Sequence, residues 1–145
     1  MGETPEAEPL TDEQIDEARR SETHVAQVGD TMLRLLTSVA NSGAIEVGIT
    51  LMIGSGAMTG KLVGINAYLE ILHEQFAAGG AAEVGQAIAE GFGFDDDEED
   101  HGLPNFIHLA EAKWFTPDGR LVDLRVWRGR ASAVDGWSMG LMSFT

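Results

Sequence analysis

Between Ile45 and Ile53 every second residue is aliphatic: Ile45, Val47, Ile49, Leu51 and Ile53 alternate with Glu46, Gly48, Thr50 and Met52. Successive side chains of a strand point to opposite faces, so this period of two predicts a strand with one strongly apolar face. Gly54-Ser55-Gly56 reads as a turn, and residues 57–65 (AMTGKLVGI) as the returning strand of a hairpin. Upstream the period lengthens. Val25, Val28, Met32, Leu35, Leu36 and Val39 recur at three- and four-residue spacing, which makes one apolar stripe on a helix that Asn41-Ser42-Gly43 stops. Its start carries a capping box: Thr11 accepts from the backbone N–H of Gln14, the Gln14 side chain reaches back, and Leu10 is placed to staple onto Ile15. Gly29 predicts either two helices here or one with a loose first half.

Downstream, Asn66 is the expected cap of a short helix that carries Leu69, Leu72 and Phe76 on one side and ends at Gly79-Gly80. Residues 81–92 (AAEVGQAIAEGF) form a second helical stretch, interrupted by Gly85. Six consecutive acids at 95–100 read as a solvated loop. Residues 106–115 and 120–127 then form two strands joined by the turn Thr116-Pro117-Asp118-Gly119. Asp135-Gly136 offers a further tight turn into a last strand over 137–144. The fold class is therefore α+β: an N-terminal helix, a β-hairpin, one or two short helices, then an antiparallel β-meander in a small bent sheet or partial barrel. Residues 1–10 are a disordered acidic arm, and 11–145 a single domain that contains the acidic loop 95–102.

The alternation breaks once in a way that demands a cause. From 122 to 126 the apolar residues are even-numbered (Val122, Leu124, Val126); afterwards they are odd-numbered (Trp127, Ala131, Ala133), and Arg128 and Arg130 are even. A period of two inverts only if a residue is inserted, so a β-bulge is expected near Val126–Gly129, where Gly129 tolerates the conformation that one bulge type needs. Trp127 then turns inward, and Arg125, Arg128 and Arg130 share the outer face as a candidate partner-binding stripe. Asp135 and Gly136 are expected to form a turn, and Trp137 to lead the strand after it.

Charge sharpens the interest of that stripe. The chain of 145 residues has a formal net charge of -15. Residues 1–18 hold seven acids and no base, and 95–100 hold six acids, whereas 101–145 hold five bases against four acids. Most of the negative charge thus sits outside the folded body, and long-range attraction of the whole molecule to nucleic acid or anionic lipid is not expected. Arginines on such a face are ordinarily solvated or paired with nearby carboxylates, such as the run 95–100.

With no cysteine, the chain can make no disulfide, thiolate nucleophile or cysteine-ligated zinc site. Neither a basic and apolar leader nor a long apolar run occurs, so neither secretion nor membrane spanning is expected. Residues 55–62 (SGAMTGKL) miss the phosphate-loop pattern at its first and last positions. His24, His73, His101 and His108 have no metal-ligand spacing, and the acidic run lacks the alternation and glycine of a calcium loop. No catalytic, cofactor-binding or metal-ligating residue is nominated.

One family shares several of these features in order. Thr59-Gly60-Lys61-Leu62-Val63, a following helix opened by Tyr68, Phe106-Ile107-His108-Leu109, Trp127-Arg128-Gly129-Arg130, and Val134-Asp135-Gly136-Trp137 with Gly140 together resemble the GvpU family of gas vesicle accessory proteins. The resemblance covers roughly residues 45–142 outside the acidic insert. It implies a cytosolic, non-enzymatic accessory protein of gas vesicles, the air-filled protein shells that give cells buoyancy. Such a protein would act by protein–protein contact in vesicle assembly, organisation or clustering, its partners being shell proteins, other accessory proteins or further copies of itself. It implies no cofactor. The residues alone leave an alternative, a small-barrel (Sm-like) binding module that uses the arginines on RNA. Such modules present stacking aromatics beside their basic groups, whereas Trp127 is expected to be buried.

Overall fold

The computed structural model describes residues 9–92 and 102–142, without the side chains of residues 21–27 and 92. The acidic arm as far as residue 8, the acidic run 95–100, His101, the side chains of His24 and Val25 and the end of the last expected strand lie outside the described residues. The capping box forms as the sequence requires. Gln14 N donates to Thr11 Oγ1 at 3.2 Å and Thr11 N donates to Gln14 Oε1 at 2.9 Å, which opens α1 (Asp12–Val28). Leu10 does not complete the staple and stays exposed.

Gly29 separates two helices. It has φ 93°, and a side chain there would run into the backbone of Ala131, 2.7 Å from the position of its Cβ. Only glycine satisfies both conditions. Asp30 then caps α2 (Thr31–Asn41) by accepting from Leu33 N. The apolar stripe is largely turned outward: α2 buries Leu33, Arg34, Thr37 and Ala40, while Met32, Leu35 and Val39 are exposed. The guanidinium of Arg34 accounts for the rotation. It donates to the carbonyls of Leu103 and Pro104 and to Asn105 Oδ1, so the charged residue of α2 is carried inward to hold the segment that enters the third strand.

The strands are β1 (Val47–Ile53), β2 (Gly56–Val63), β3 (Phe106–Phe115), β4 (Leu121–Arg130) and β5 (Gly136–Met139). They form one antiparallel sheet in the order β4-β3-β2-β1-β5. The first four run as a meander, interrupted between β2 and β3 by α3 (Ile65–Ala78) and α4 (Ala82–Phe92). The last strand does not turn back on β4. A short 3₁₀ turn at Ala131–Ala133 carries the chain to the opposite edge, where β5 pairs with β1. The expected tight turn at Asp135-Gly136 is thus a latch: Asp135 N donates to Met52 O, and its carboxylate accepts from Gly54 N at 2.7 Å. Asp135 ties the incoming strand to the β1–β2 turn.

One face of the sheet is dry. Leu33 and Ala40 of α2 pack on Ile49, Leu51, Met58, Leu62, Ile107, Leu109 and Ala112, with Trp114, Trp127 and Trp137 partly buried at the margins. The other face is covered by α3 near His108 and crossed at its far end by residues 140–142, where Thr50 Oγ1 donates to Gly140 O and Met142 N donates to Thr59 Oγ1. The expected cap of α3 is also displaced. Gly64 is its N-cap residue, and the free Ile65 N–H is satisfied by Asn41 Oδ1 at the end of α2, not by Asn66. A distant amide does the work because the C-terminus of α2 abuts the start of α3.

Candidate functional site: the arginine-bearing face of the sheet

The phase inversion of β4 is present, but it falls earlier than Val126–Gly129. The register of β3 and β4 shifts where Ala110 faces Val126, Ala112 faces Arg125 and Lys113 faces Asp123. The two residues at the break, Glu111 (φ 50°) and Arg125 (φ 65°), adopt left-handed backbone. Each strand therefore takes up a local irregularity at the same level, and both change phase together. Gly129 has a different task from the one expected. The Trp127 ring lies across it, and a Cβ on Gly129 would sit 2.2 Å from the indole. The glycine thus lets Trp127 fold inward beside Leu109, its partner across the strands.

From Val126 to Arg130 the alternation is regular. Trp127 and Gly129 face the dry core, while Arg128 and Arg130 lie opposite His108 and Phe106 on the other face. Arg125 borders a groove of about 550 Å³ with Lys61, Lys113 and Val126 and with the acids Glu111 and Asp123. Within it Lys61 is already engaged, donating to Glu111 at 3.1 Å and lying 3.8 Å from Glu46. Glu111 chiefly, with Glu46, holds the Lys61 ammonium above its ordinary pKa. Arg125, Arg128 and Arg130 have no ion pair among the described residues. Arg128 and Arg130 thus share one side of the sheet, whereas Arg125 sits at the break opposite Ala112 and reaches that side only at the border of the groove.

Arg128 is the most constrained of them. Its guanidinium carbon lies 3.8 Å over the Phe106 ring centroid, and its Nε donates to His108 Nε2 at 3.2 Å. His108 is buried against the Tyr68 ring at 4.7 Å between centroids. Burial, reinforced by the nearby Arg128 charge, lowers the His108 pKa from 6.5 to about 4. The imidazole is therefore neutral at neutral pH, which is what allows it to accept from a cation. Arg128 thus covers one face of the Phe106 ring, which is otherwise exposed.

On the opposite side, Trp137 and Asp135 have structural roles. Trp137 Nε1 donates to Asp30 Oδ2 at 2.8 Å. This bond, then the backbone N–H of Leu33 and Met32, holds the Asp30 carboxyl below its ordinary pKa against the opposing effect of burial. One carboxylate thus caps α2 and anchors β5. Sequence reasoning missed this pairing and the Arg34 clasp; the available signals were a lone arginine within an apolar helix and an N-cap aspartate just before it. Among the described residues, no group of three or more His, Asp or Glu side chains could hold a metal ion. No helix among them is long and apolar enough to cross a membrane.

The sequence model of a family described as "Gas vesicle protein GvpU-like" matches residues 30–142, most of the chain. Those limits run from the Asp30 cap to Met142, whose N–H bonds Thr59. No curated protein matches the chain.

Proposed function

The chain belongs to the GvpU-like family of gas vesicle proteins, and from that membership we propose that it is a non-enzymatic accessory protein that acts by contact with another protein, through the face that carries Arg125, Arg128 and Arg130. What supports this reading is that Arg128 and Arg130 lie on one face, with Arg125 at the border of the adjoining groove, and that none of the three has a carboxylate partner among the described residues, in a chain whose net charge is -15. A strongly acidic protein that collects unpaired positive charge on one face is suited to meet carboxylates on something else. The partners proposed are vesicle shell proteins, other accessory proteins or further copies of the chain, in vesicle assembly, organisation or clustering. The setting proposed is the cytoplasm, at the vesicle.

Flotation tests the reading directly. Purified gas vesicles mixed with the protein and left to rise are expected to carry it into the floating layer at low salt and to release it as ionic strength increases, because contacts at the rim of an interface are screened over about 8–10 Å at physiological salt. Protein that stays in the subnatant at every salt concentration would remove the vesicle contact.

A further inference from the structure

A small cavity beside Arg128 has a chemistry that the groove around Arg125 lacks. It measures about 150 Å³, is walled by Ile65, Leu69 and Leu72 of α3 and Ile88 of α4, and is edged by Tyr68, His108 and Arg128. Small-molecule sites usually measure about 300–1,000 Å³; an apolar cavity of this size holds a group no larger than benzene. It is the size of an anchor pocket for one protruding side chain.

Two polar groups beside it have unused bonding capacity. Arg128 is fixed by Phe106 and by its Nε bond to His108, yet neither contact uses the two terminal nitrogens of its guanidinium. Those nitrogens have no carboxylate partner among the described residues, and held rigid in this way they match the two oxygens of a carboxylate. His108 is the second. Arginine Nε can only donate, so His108 Nε2 carries the lone pair and the ring proton sits on Nδ1. That nitrogen is buried with no hydrogen-bond partner, although buried polar groups are nearly always satisfied.

We infer that this cavity takes one apolar side chain carried next to a carboxylate by a partner protein, as at a chain end that finishes in leucine, with the side chain seated among Ile65, Leu69, Leu72 and Ile88 and the carboxylate held by the terminal nitrogens of Arg128. The inference rests on the reading of this face as the one that meets another protein, and it names the chemistry that the face selects. Arg130, two residues along the strand, lies outside the cavity and contributes only general attraction.

The probes are N-acetyl-L-leucine and N-acetyl-L-leucinamide, titrated into the full chain and followed by backbone amide chemical shifts. The acid is expected to bind at least about tenfold more tightly than the amide, the usual weight of a charge-assisted pair, with shifts centred on α3, α4 and β4. Arg128→Gln should reduce the acid to the level of the amide, and Arg130→Gln should leave it within about twofold. Ile88→Trp fills the cavity from the α4 side and should abolish binding of both probes, the undisturbed part of the spectrum reporting that the protein is folded. Equal affinity for acid and amide overturns the inference, as does an equal loss in the Arg128 and Arg130 variants. Tighter binding of free 4-methylpentanoate than of acetylleucine assigns the cavity to a small-molecule acid and overturns the protein-borne occupant. Flotation separates the two claims: protein that rises with vesicles but binds neither probe sinks the cavity and spares the vesicle reading, whereas protein that binds the acid but never rises does the reverse.

Discussion

The two faces of the sheet meet along β4, where neighbouring residues belong to different chemistries. Trp127 points into a core of aliphatic side chains that are 0–3% exposed; Arg128, the next residue, points to a face with a neutral buried histidine, an arginine-capped phenylalanine and open grooves. On the first face the driving force is the removal of apolar surface from water, and every side chain is interchangeable only with one of similar volume. On the second, covering by α3 and the C-terminal segment is partial, and polar groups are left with unused bonding capacity. The first face holds the fold; the second is free to hold something else. Substitutions should divide accordingly.

The largest expected effect lies on the dry face. Leu109 is completely buried opposite Trp127, and Leu109→Ala should cost about 3–5 kcal/mol, the upper part of the range for truncating a leucine where rigid neighbours prevent collapse. Chemical denaturation reads this directly. A loss below about 1 kcal/mol would show that this face is loosely packed and that the contrast drawn between the faces is too sharp.

Next comes a pH effect from the other face. The unfolded chain binds a proton at His108 near pH 6.5, whereas the folded chain does not until about pH 4. A histidine whose folded pKa is depressed stabilises fully above pH 6.5 and loses that contribution as the pH falls toward 4, here by about 3 kcal/mol across the window. Tyr68 and Arg128 are the groups against it. Stability measured from pH 7 to pH 4.5 should therefore fall more steeply in the parent than in His108→Gln, which has no proton to take up. Parallel curves would mean that the imidazole titrates normally in the folded protein.

How much of this was legible in the sequence follows the same division. Signals carried within a few residues were readable: the Thr11/Gln14 box, the period-two pattern of β1, and the Thr116–Gly119 turn, where Gly119 has φ 85° and its N–H bonds Thr116 O. The presence of a phase break in β4 was readable too, since alternation cannot invert unaided. Its position was not, because Leu124 continues the apolar pattern through the irregular level and the compensating break at Glu111 lies in the partner strand. The facing of α2 was not readable for a related reason. Periodicity finds an apolar stripe but does not say which side a helix presents, and Arg34 reaches acceptors at 103–105, about seventy residues away. The crossing of β5 to the far edge, the Asp135 latch and the α3 cap from Asn41 are likewise contacts between distant segments. Of the candidate site, the shared face of Arg128 and Arg130 and the inward Trp127 could be read in advance; the contact of His108 with Tyr68 and the cavity beside Arg128 need α3 in place.

A smaller effect tests the link between α2 and β5. Asp30→Ala removes both the N-cap and the acceptor for Trp137 Nε1, and should cost about 1–2 kcal/mol. Both bonds end on the same oxygen, Oδ2, so Asp30→Asn can keep them through its single amide oxygen and should recover most of the loss. Trp137 fluorescence alone cannot separate it from Trp114 and Trp127, so the thermal midpoint is the measurement to compare; identical midpoints for the alanine variant and the parent would show that this anchor contributes nothing.

The smallest expected effect on stability carries the largest expected effect on function. Arg128→Glu/Arg130→Glu reverses two exposed charges, and the fold loses the Arg128 contact with Phe106 and its hydrogen bond to His108. Exposed cation–π contacts and exposed charges each contribute about 0–1 kcal/mol, so the double variant should stay within about 1 kcal/mol of the parent in stability. Vesicle flotation should nevertheless fail, because four units of charge have changed on the face that meets carboxylates, and whatever binding remains should no longer weaken with salt. Dilution then identifies what is bound. If the arginines join copies of the chain, association of the parent falls with both dilution and salt, and equimolar mixtures of parent and variant should associate, since each now offers the charge the other lacks. If the arginines meet a different protein, self-association is absent in the parent and the mixture gains nothing. A variant that is as stable as the parent and floats as well at every salt concentration would reduce these arginines to solvated surface, and the second face would then differ from the first only in being less tightly packed.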